Sequence, residues 1–238
     1  MPLLNSGNAK TRKGEKLGWI TYGLHLAPFN LSGFNVCKDA SAGCAAACLN
    51  TAGRGAMSSV QKARIAKTRL FFNDREKFLS DLFSEIAKSA KSAVRKGLQP
   101  CFRLNLTSDL PWEKIKLNGQ SVLEAFPSLQ FYDYTKSAER MCAFVNGEMP
   151  ANYHLTFSRS ESNGAIAVGF LRSGGNVAMV WRKSLPQFNY GVPVIDGDET
   201  DLRFLDPSGV IVGLKEKGLA KKDLTGFVLE PTEGGVNE

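Results

Sequence analysis

The sequence predicts an α/β chain folded as one complete or partial (β/α) TIM-like barrel, with a cysteine-rich loop after its first strand. Strand-like and helix-like segments alternate along most of its length, which implies parallel strands joined by right-handed crossovers. The strands number about seven and recur too regularly for two unrelated domains. Several end in charged and polar residues, as strands do when their carboxyl ends converge on one mouth. The rival architecture is an open doubly wound sheet. No G-x-G-x-x-G fingerprint follows any strand, which weakens a dinucleotide-binding form of it.

The elements can be justified in order. Residues 1–16 carry Asn, Gly and Lys with no apolar period and read as a flexible arm. Residues 17–26 read as the first strand, and the cysteine loop follows, closing in Asn50-Thr51-Ala52-Gly53-Arg54-Gly55. Ser58 or Ser59 can cap a helix running to Phe72, and Asn73 can cap the next, with Glu76 at the capping-box position. In that second helix Phe78, Leu79, Leu82, Phe83, Ile86, Ala90 and Val94 form an apolar stripe at helical spacing. Gly97 stands where a C-terminal glycine belongs. Strands are expected at 101–106, 130–134, 153–158, 176–181, 192–195 and 210–213, with helices at 121–126, 138–146 and 162–172. The domain thus spans 17–228, and residues 229–238 read as a frayed tail.

The 238 residues carry a net charge of +7, which favours polyanionic partners such as DNA or RNA. Lys62, Arg64, Lys67 and Arg69 recur along the first long helix. Lys88, Lys91, Arg95 and Lys96 close the second, where they also complement the helix dipole. No apolar run reaches the ~18 residues of a membrane span. The amino terminus shows no apolar signal segment, so a reducing, cytoplasmic setting is expected.

Three of the five cysteines, Cys37, Cys44 and Cys48, fall within twelve residues. Thiolates are soft ligands, and three in one loop can face a single metal centre. Three protein ligands leave a four-coordinate centre one position short, which suits an iron–sulfur cluster with an open iron or a zinc site completed elsewhere. His25, just before the loop, is the better candidate for a fourth ligand. His154 reads as a core histidine or a substrate contact. Cys101 and Cys142 read as core residues.

The strand ends supply the remaining candidates. Arg103-Leu104-Asn105 leads to Ser108-Asp109; Tyr132-Asp133-Tyr134-Thr135-Lys136 follows; then His154 to Glu161, then Trp181-Arg182-Lys183, then Asp196 to Asp201. Charges inside strands are costly to bury unless they meet a partner or a ligand. A run of such strand ends suggests an active site, against an ion-pair network that closes the barrel end. The 196–201 stretch lacks the spacing of an EF-hand and reads as a turn with one carboxylate facing the site.

In its segments from Gly18 to Val228 the chain resembles an uncharacterised family of bacteriophage-encoded proteins. The segments are Gly18–Gly23, Cys37–Gly55, Arg103–Asn105 with Ser108-Asp109 and Pro111–Glu113, Phe131–Lys136, Tyr153–Glu161 and Pro193–Asp206. That resemblance implies a phage origin, hence the host cytoplasm during infection, and no settled activity. More loosely, a cysteine triplet after the first strand of a parallel barrel is similar to the radical S-adenosylmethionine superfamily, although the spacing here is six residues and then three rather than three and then two. This second resemblance implies a 4Fe–4S cluster on Cys37, Cys44 and Cys48, S-adenosylmethionine bound at its open iron, and an electron donor. It also implies catalytic roles among Asp109, Asp133, Lys136, Arg159 and Asp196, and cofactor contacts from Arg103, Asn105, Ser158, Glu161 and Asp198. With the basic charge, it points to modification of a nucleic acid or nucleotide. Two alternatives stand beside it. One is a zinc-containing barrel similar to the tRNA-guanine transglycosylases, with chemistry from Asp109, Asp133 and Asp196. The other is a zinc-stapled protein that binds nucleic acid or a host factor without catalysis.

Overall fold

The computed structural model describes residues 1–6 and 13–231. Its strands are β1 (Leu4–Asn5), β2 (Trp19–Leu24), β3 (Gln99–Arg103), β4 (Lys116–Leu117), β5 (Gln120–Ser121), β6 (Gln130–Thr135), β7 (Tyr153–Ser158), β8 (Val177–Trp181), β9 (Phe188–Asn189), β10 (Val192–Asp196), β11 (Ile211–Lys215) and β12 (Val228–Leu229). Its α-helices are α1 (Ala42–Ala46), α2 (Ser58–Asn73), α3 (Arg75–Arg95), α4 (Val122–Ala125), α5 (Ala138–Val145) and α6 (Gly164–Arg172).

The long helices follow from their sequence. Asp74, one residue later than expected, caps α3 by accepting the Lys77 N–H at 3.1 Å. Phe78, Leu79, Leu82 and Ile86 form its buried face, each such side chain contributing about 1.5–3 kcal/mol by burial. The helix stops at Gly97, whose φ of +71° suits glycine, with the Leu98 N–H returning to the Ala93 carbonyl. A short hairpin, β4–β5, turns on Asn118-Gly119, both at positive φ, a strong hairpin signal that the strand pattern alone did not mark.

Ten strands join in one sheet, in the order β1-β2-β3-β6-β7-β8-β11-β10-β9, with β12 also on β8. The ladders between β2, β3, β6, β7, β8, β11 and β10 are all parallel. From β2 to β8 the parallel strands follow chain order, the winding of a (β/α) barrel. The helical side chains Phe71, Phe78, Leu82 and Met141 share one core with Ile20, Phe102, Phe131, Leu155, Phe157 and Met179 from the strands. On the other face, Cys101 and Tyr132 pack with Leu202, flanked by Trp19 and Phe204. Leu202 and Phe204 arrive on the segment after β10 and cover that face.

A closed barrel is corrected by this topology. The two-residue strands β1 and β9 run antiparallel along the outer sides of β2 and β10, and β10 and β11 exchange places. Both edges are therefore covered rather than joined to each other. The 198–204 segment spans the face of Cys101 and Tyr132 instead: the Lys13 ammonium donates to the Asp198 carbonyl at 2.5 Å, and Trp19 meets Phe204 edge-on at 4.8 Å.

Within the stretch read as an arm, Leu3 and Leu4 are buried and β1 pairs with β2; residues 7–12 lie outside the described part. The expected tail begins in β12, and 232–238 likewise lie outside the described residues. Cys101 is buried as expected. Cys142 is exposed, because α5 turns Met141 to the core and leaves its neighbour outside. No helix among the described residues is long and apolar enough to cross a membrane.

Candidate functional site

The cysteine loop leaves β2 and reaches the carboxyl ends of the next three parallel strands. The Cys37 thiol points at the Thr107 carbonyl beyond β3, with sulfur and oxygen 3.9 Å apart. Cys48 lies within electrostatic reach of Lys136, beyond β6. Glu161, beyond β7, accepts the Gly43 N–H at 2.7 Å and the Ser41 hydroxyl at 2.8 Å. Ser41 in turn caps α1 by accepting the Cys44 N–H at 3.2 Å. All three cysteines are half-buried.

The thiols also sense one another. Burial pushes the Cys37 thiol up to about 12, opposed by a backbone hydrogen bond from Phe29 and reinforced by Cys48 and Cys44. Burial raises Cys48 too, opposed by a backbone hydrogen bond from Asn50 and by the charges of Arg64 and Lys136. An N–H bond to sulfur favours the thiolate, the form that binds metal. The three sulfurs do not close into a ready cage: among the described residues no group of three or more His, Cys, Asp and Glu is placed to hold one ion.

Of the basic residues that recur along α2, the structure turns Arg64 and Lys67 inward. On α2 they share a face with buried Phe71, at helical spacing. Arg64 donates to the Asn50 side chain, and its Nε is buried without a hydrogen-bond partner among the described residues. Gln61 ties the same turn by donating to the Asn50 carbonyl at 2.8 Å and to the Gly55 carbonyl. Among the described residues no carboxylate pairs with Arg64 at ion-pair distance. Burial lowers its pKa, and Cys48 is the group that opposes this.

His25 follows β2 directly. Burial, then Arg64, Lys67 and Arg103, push its pKa down to about 3, so the ring is neutral at physiological pH. Its Nδ1 lies 3.3 Å from the Asn5 amide. His154 is also neutral, pushed down to about 4 by burial and by Arg203.

Asp109, Asn105 and Asp133 do come together, but they spend their capacity on each other's neighbours. Asp133 accepts the Asn105 N–H at 2.7 Å and the Tyr153 hydroxyl at 2.9 Å. Asn105 Oδ1 accepts from Ser108, from the Leu110 N–H and from the Trp112 indole. Arg140 donates to Asp109 at 2.6 Å and forks onto Glu113 at 2.8 and 3.0 Å. Asp109 also accepts the Lys136 N–H at 2.7 Å. The network locks the 105–113 loop against β6, β7 and α5. Burial pushes the Asp133 carboxyl up to about 7, against the opposing pull of the Asn105 N–H and of Arg103 and Arg140.

Arg103 faces the opposite side of the sheet. It grips Asp201 through both carboxylate oxygens, at 3.1 and 2.9 Å, and lies over the Tyr134 ring at 4.4 Å. Burial alone would depress Arg103, and Asp201 reverses that. Tyr132 adds its hydroxyl to Asp201 at 3.2 Å. Asp201 was passed over as one acid in a turn; only a long-range contact shows its role.

Lys136 and Ser158 meet at 2.5 Å on the β6 and β7 ends, and Arg159 donates to the Phe227 carbonyl at 3.2 Å. One rung below, the Tyr134 hydroxyl and Thr156 Oγ1 are buried with no hydrogen-bond partner among the described residues. Asp196 and Asp198 lie on the far side of the sheet, with five strands between β2 and their own β10. Asp196 closes a turn on the Asp198 N–H, and Asp198 pairs with Lys217 at 2.6 Å. Neither joins the thiols. Surface cavities of about 370 Å³ beside Lys77 and Glu85, and about 560 Å³ beside Glu139 and Cys142, do not reach the mouth.

The chain matches no curated protein and no solved structure. A family model described as Gene product 88 matches residues 2–230, and the chain belongs to that family.

Proposed function

We propose that the chain is a metal–thiolate enzyme in which Cys37, Cys44 and Cys48 hold an iron–sulfur cluster at the mouth of the sheet. In this reading it acts on a nucleic acid or nucleotide with S-adenosylmethionine as co-substrate. The observation that carries it is the buried Arg64 guanidinium within electrostatic reach of Cys48, with no carboxylate paired to it among the described residues. A buried cation needs a counter-charge, and thiolate at Cys48 supplies one. Burial raises both the Cys37 and Cys48 thiols, and the backbone groups of Phe29 and Asn50 pull the other way, towards thiolate.

Three thiolates are the right donors for the group, but among the described residues they form no ready cage, so holding it would require the cysteine loop to rearrange. Such a cluster supplies one-electron reduction at its open iron. The chain's own residues do the rest. Arg64 and Lys136 offset thiolate charge, and the Lys136–Ser158 pair presents an ammonium at the mouth. The unused hydroxyls of Tyr134 and Thr156 suit a surface that meets a polar ligand. Membership of the family agrees with the phage resemblance, and the net charge of +7 supports a polyanionic substrate.

A zinc site is the second reading. The neutral His25 ring is in the state a metal ligand requires. The two separate on S-adenosylmethionine cleavage by reduced, iron-loaded protein, and on binding to DNA or RNA that weakens with salt. Cleavage supports the cluster reading; one tightly held zinc with no cleavage rejects it.

A further inference from the structure

We propose that Glu161 is the positioning residue of the cysteine loop, clamping residues 41–44 so that the Cys44 thiol is presented towards Cys37 and Cys48. Its carboxylate uses both oxygens on the loop, Oε1 on the Gly43 N–H at 2.7 Å and Oε2 on the Ser41 hydroxyl at 2.8 Å. Ser41 passes the constraint on, because the oxygen that donates to Glu161 also accepts the Cys44 N–H at 3.2 Å. The backbone of the loop is thereby fixed one residue on either side of Ala42 and at Cys44 itself.

Gly43 shows how close the clamp is. A Cβ built there would stand 2.3 Å from Thr225 Oγ1 and 2.7 Å from Glu161 Oε2. The loop is therefore held between the β7 end and the segment that leads into β12. That segment is itself tied down: Asp223 accepts from Thr225 at 2.7 Å and from the Val228 N–H at 2.9 Å, and its carbonyl takes an N–H from Arg182 at 2.8 Å. Burial works against ionisation of Glu161, and the hydrogen bonds from Gly43 and Ser41 outweigh it, keeping the carboxyl below its usual range. The far end of the loop is held separately, by Gln61 and Arg64 on Asn50.

Glu161 thus acts on the thiols through the backbone rather than as a ligand. The consequence for metal binding rests on the proposed metal–thiolate reading, but the clamp does not. The experiment uses the full chain in wild-type, Glu161→Gln and Ser41→Ala forms. Iodoacetamide labelling rates of each cysteine are read by peptide mass spectrometry on metal-free protein, and iron retained under chelator challenge is read on reconstituted protein. Glu161→Gln is expected to speed Cys44 labelling at least several-fold while Cys101 stays protected, showing an intact core. Iron retention is expected to fall about 10- to 100-fold, as for lost groups that orient ligands. Ser41→Ala moves both readouts in the same direction, and it decides the matter if Glu161→Gln exposes Cys101 by failing to fold. Unchanged Cys44 labelling in both variants overturns the clamp. A wild-type chain that holds no iron overturns the cluster reading instead and leaves the labelling result to decide the role of Glu161.

Discussion

Arg64 lies buried beside Cys48, and among the described residues no carboxylate pairs with it. Most buried cations in this chain are compensated: Arg103 has Asp201, and Arg140 has Asp109 and Glu113. Lys67, on the same helix face, also lacks a carboxylate at ion-pair distance among the described residues and donates to the Leu3 carbonyl at 2.7 Å; of the two, Arg64 is the one tied to the cysteine loop, through the Asn50 side chain. Replacing Arg64 with Met should leave stability within about 1 kcal/mol, since a buried charge is exchanged for apolar contact. The same change should raise the pH at which Cys48 is alkylated. A large drop in the urea midpoint with no change at Cys48 would make Arg64 a plain packing residue.

Arg103 and Asp201 form the opposite case. Asp201→Ala strands a buried guanidinium and the Tyr132 hydroxyl, at a cost of about 3–5 kcal/mol. Chemical denaturation measures it. The double variant Arg103→Met with Asp201→Leu should recover much of the loss. If the double variant is as weak as the single, the segment after β10 is held by something other than this ion pair.

Asp133 gives a pH signature. Its folded pKa is raised from 3.8 to about 7 by burial. Between those values the folded chain keeps a proton that the unfolded chain has released, so this group makes stability fall as pH rises from about 4 to about 7. The histidines act with the opposite sign. With folded values depressed to about 3 and about 4, they add stability above the unfolded value of 6.5 that is lost as pH falls through those folded values. Comparing Asp133→Asn with wild type isolates the carboxyl: the variant should lose less stability between pH 5 and pH 7, read from urea midpoints. Parallel curves would mean that Asp133 is ionised in the folded chain throughout.

Gly23 is a packing constraint within β2. An added Cβ would stand 2.1 Å from the Leu106 Cδ1. Gly23→Ala should cost about 1–3 kcal/mol through overpacking, and Leu106→Ala in the same chain should relieve the clash. Thermal unfolding of the single and double variants tests this, and an unchanged midpoint in the single variant contradicts it.

What the sequence made legible divides along physical lines. The Phe78–Leu79–Leu82–Ile86 stripe, the parallel strands and the buried Cys101 follow from local periodicity. Cys37, Cys44 and Cys48 stand close in the chain, yet among the described residues their sulfurs form no group placed to hold one ion. The inward turn of Arg64 and Lys67 was hidden because a basic i, i+3 pair looks the same on either face of a helix. The ladder of Asp109, Asn105 and Asp133 was legible as a convergence of strand ends, but its internal satisfaction depends on Arg140 and Tyr153, which come from later elements. Asp201 pairs with a residue 98 positions away, a separation that no local pattern carries. The covering of both edges by β1 and β9 was hidden because two-residue strands are too short to register in the sequence.

The most direct measurement is the iron and acid-labile sulfide content of anaerobically reconstituted protein, with its visible spectrum, for wild type, Arg64→Met and the triple alanine variant at Cys37, Cys44 and Cys48. About four irons and four sulfides per chain are expected, with a ~400 nm shoulder that is weakened in Arg64→Met and absent from the triple variant. A colourless wild-type protein without iron, or a triple variant that keeps its iron, would contradict the cluster reading.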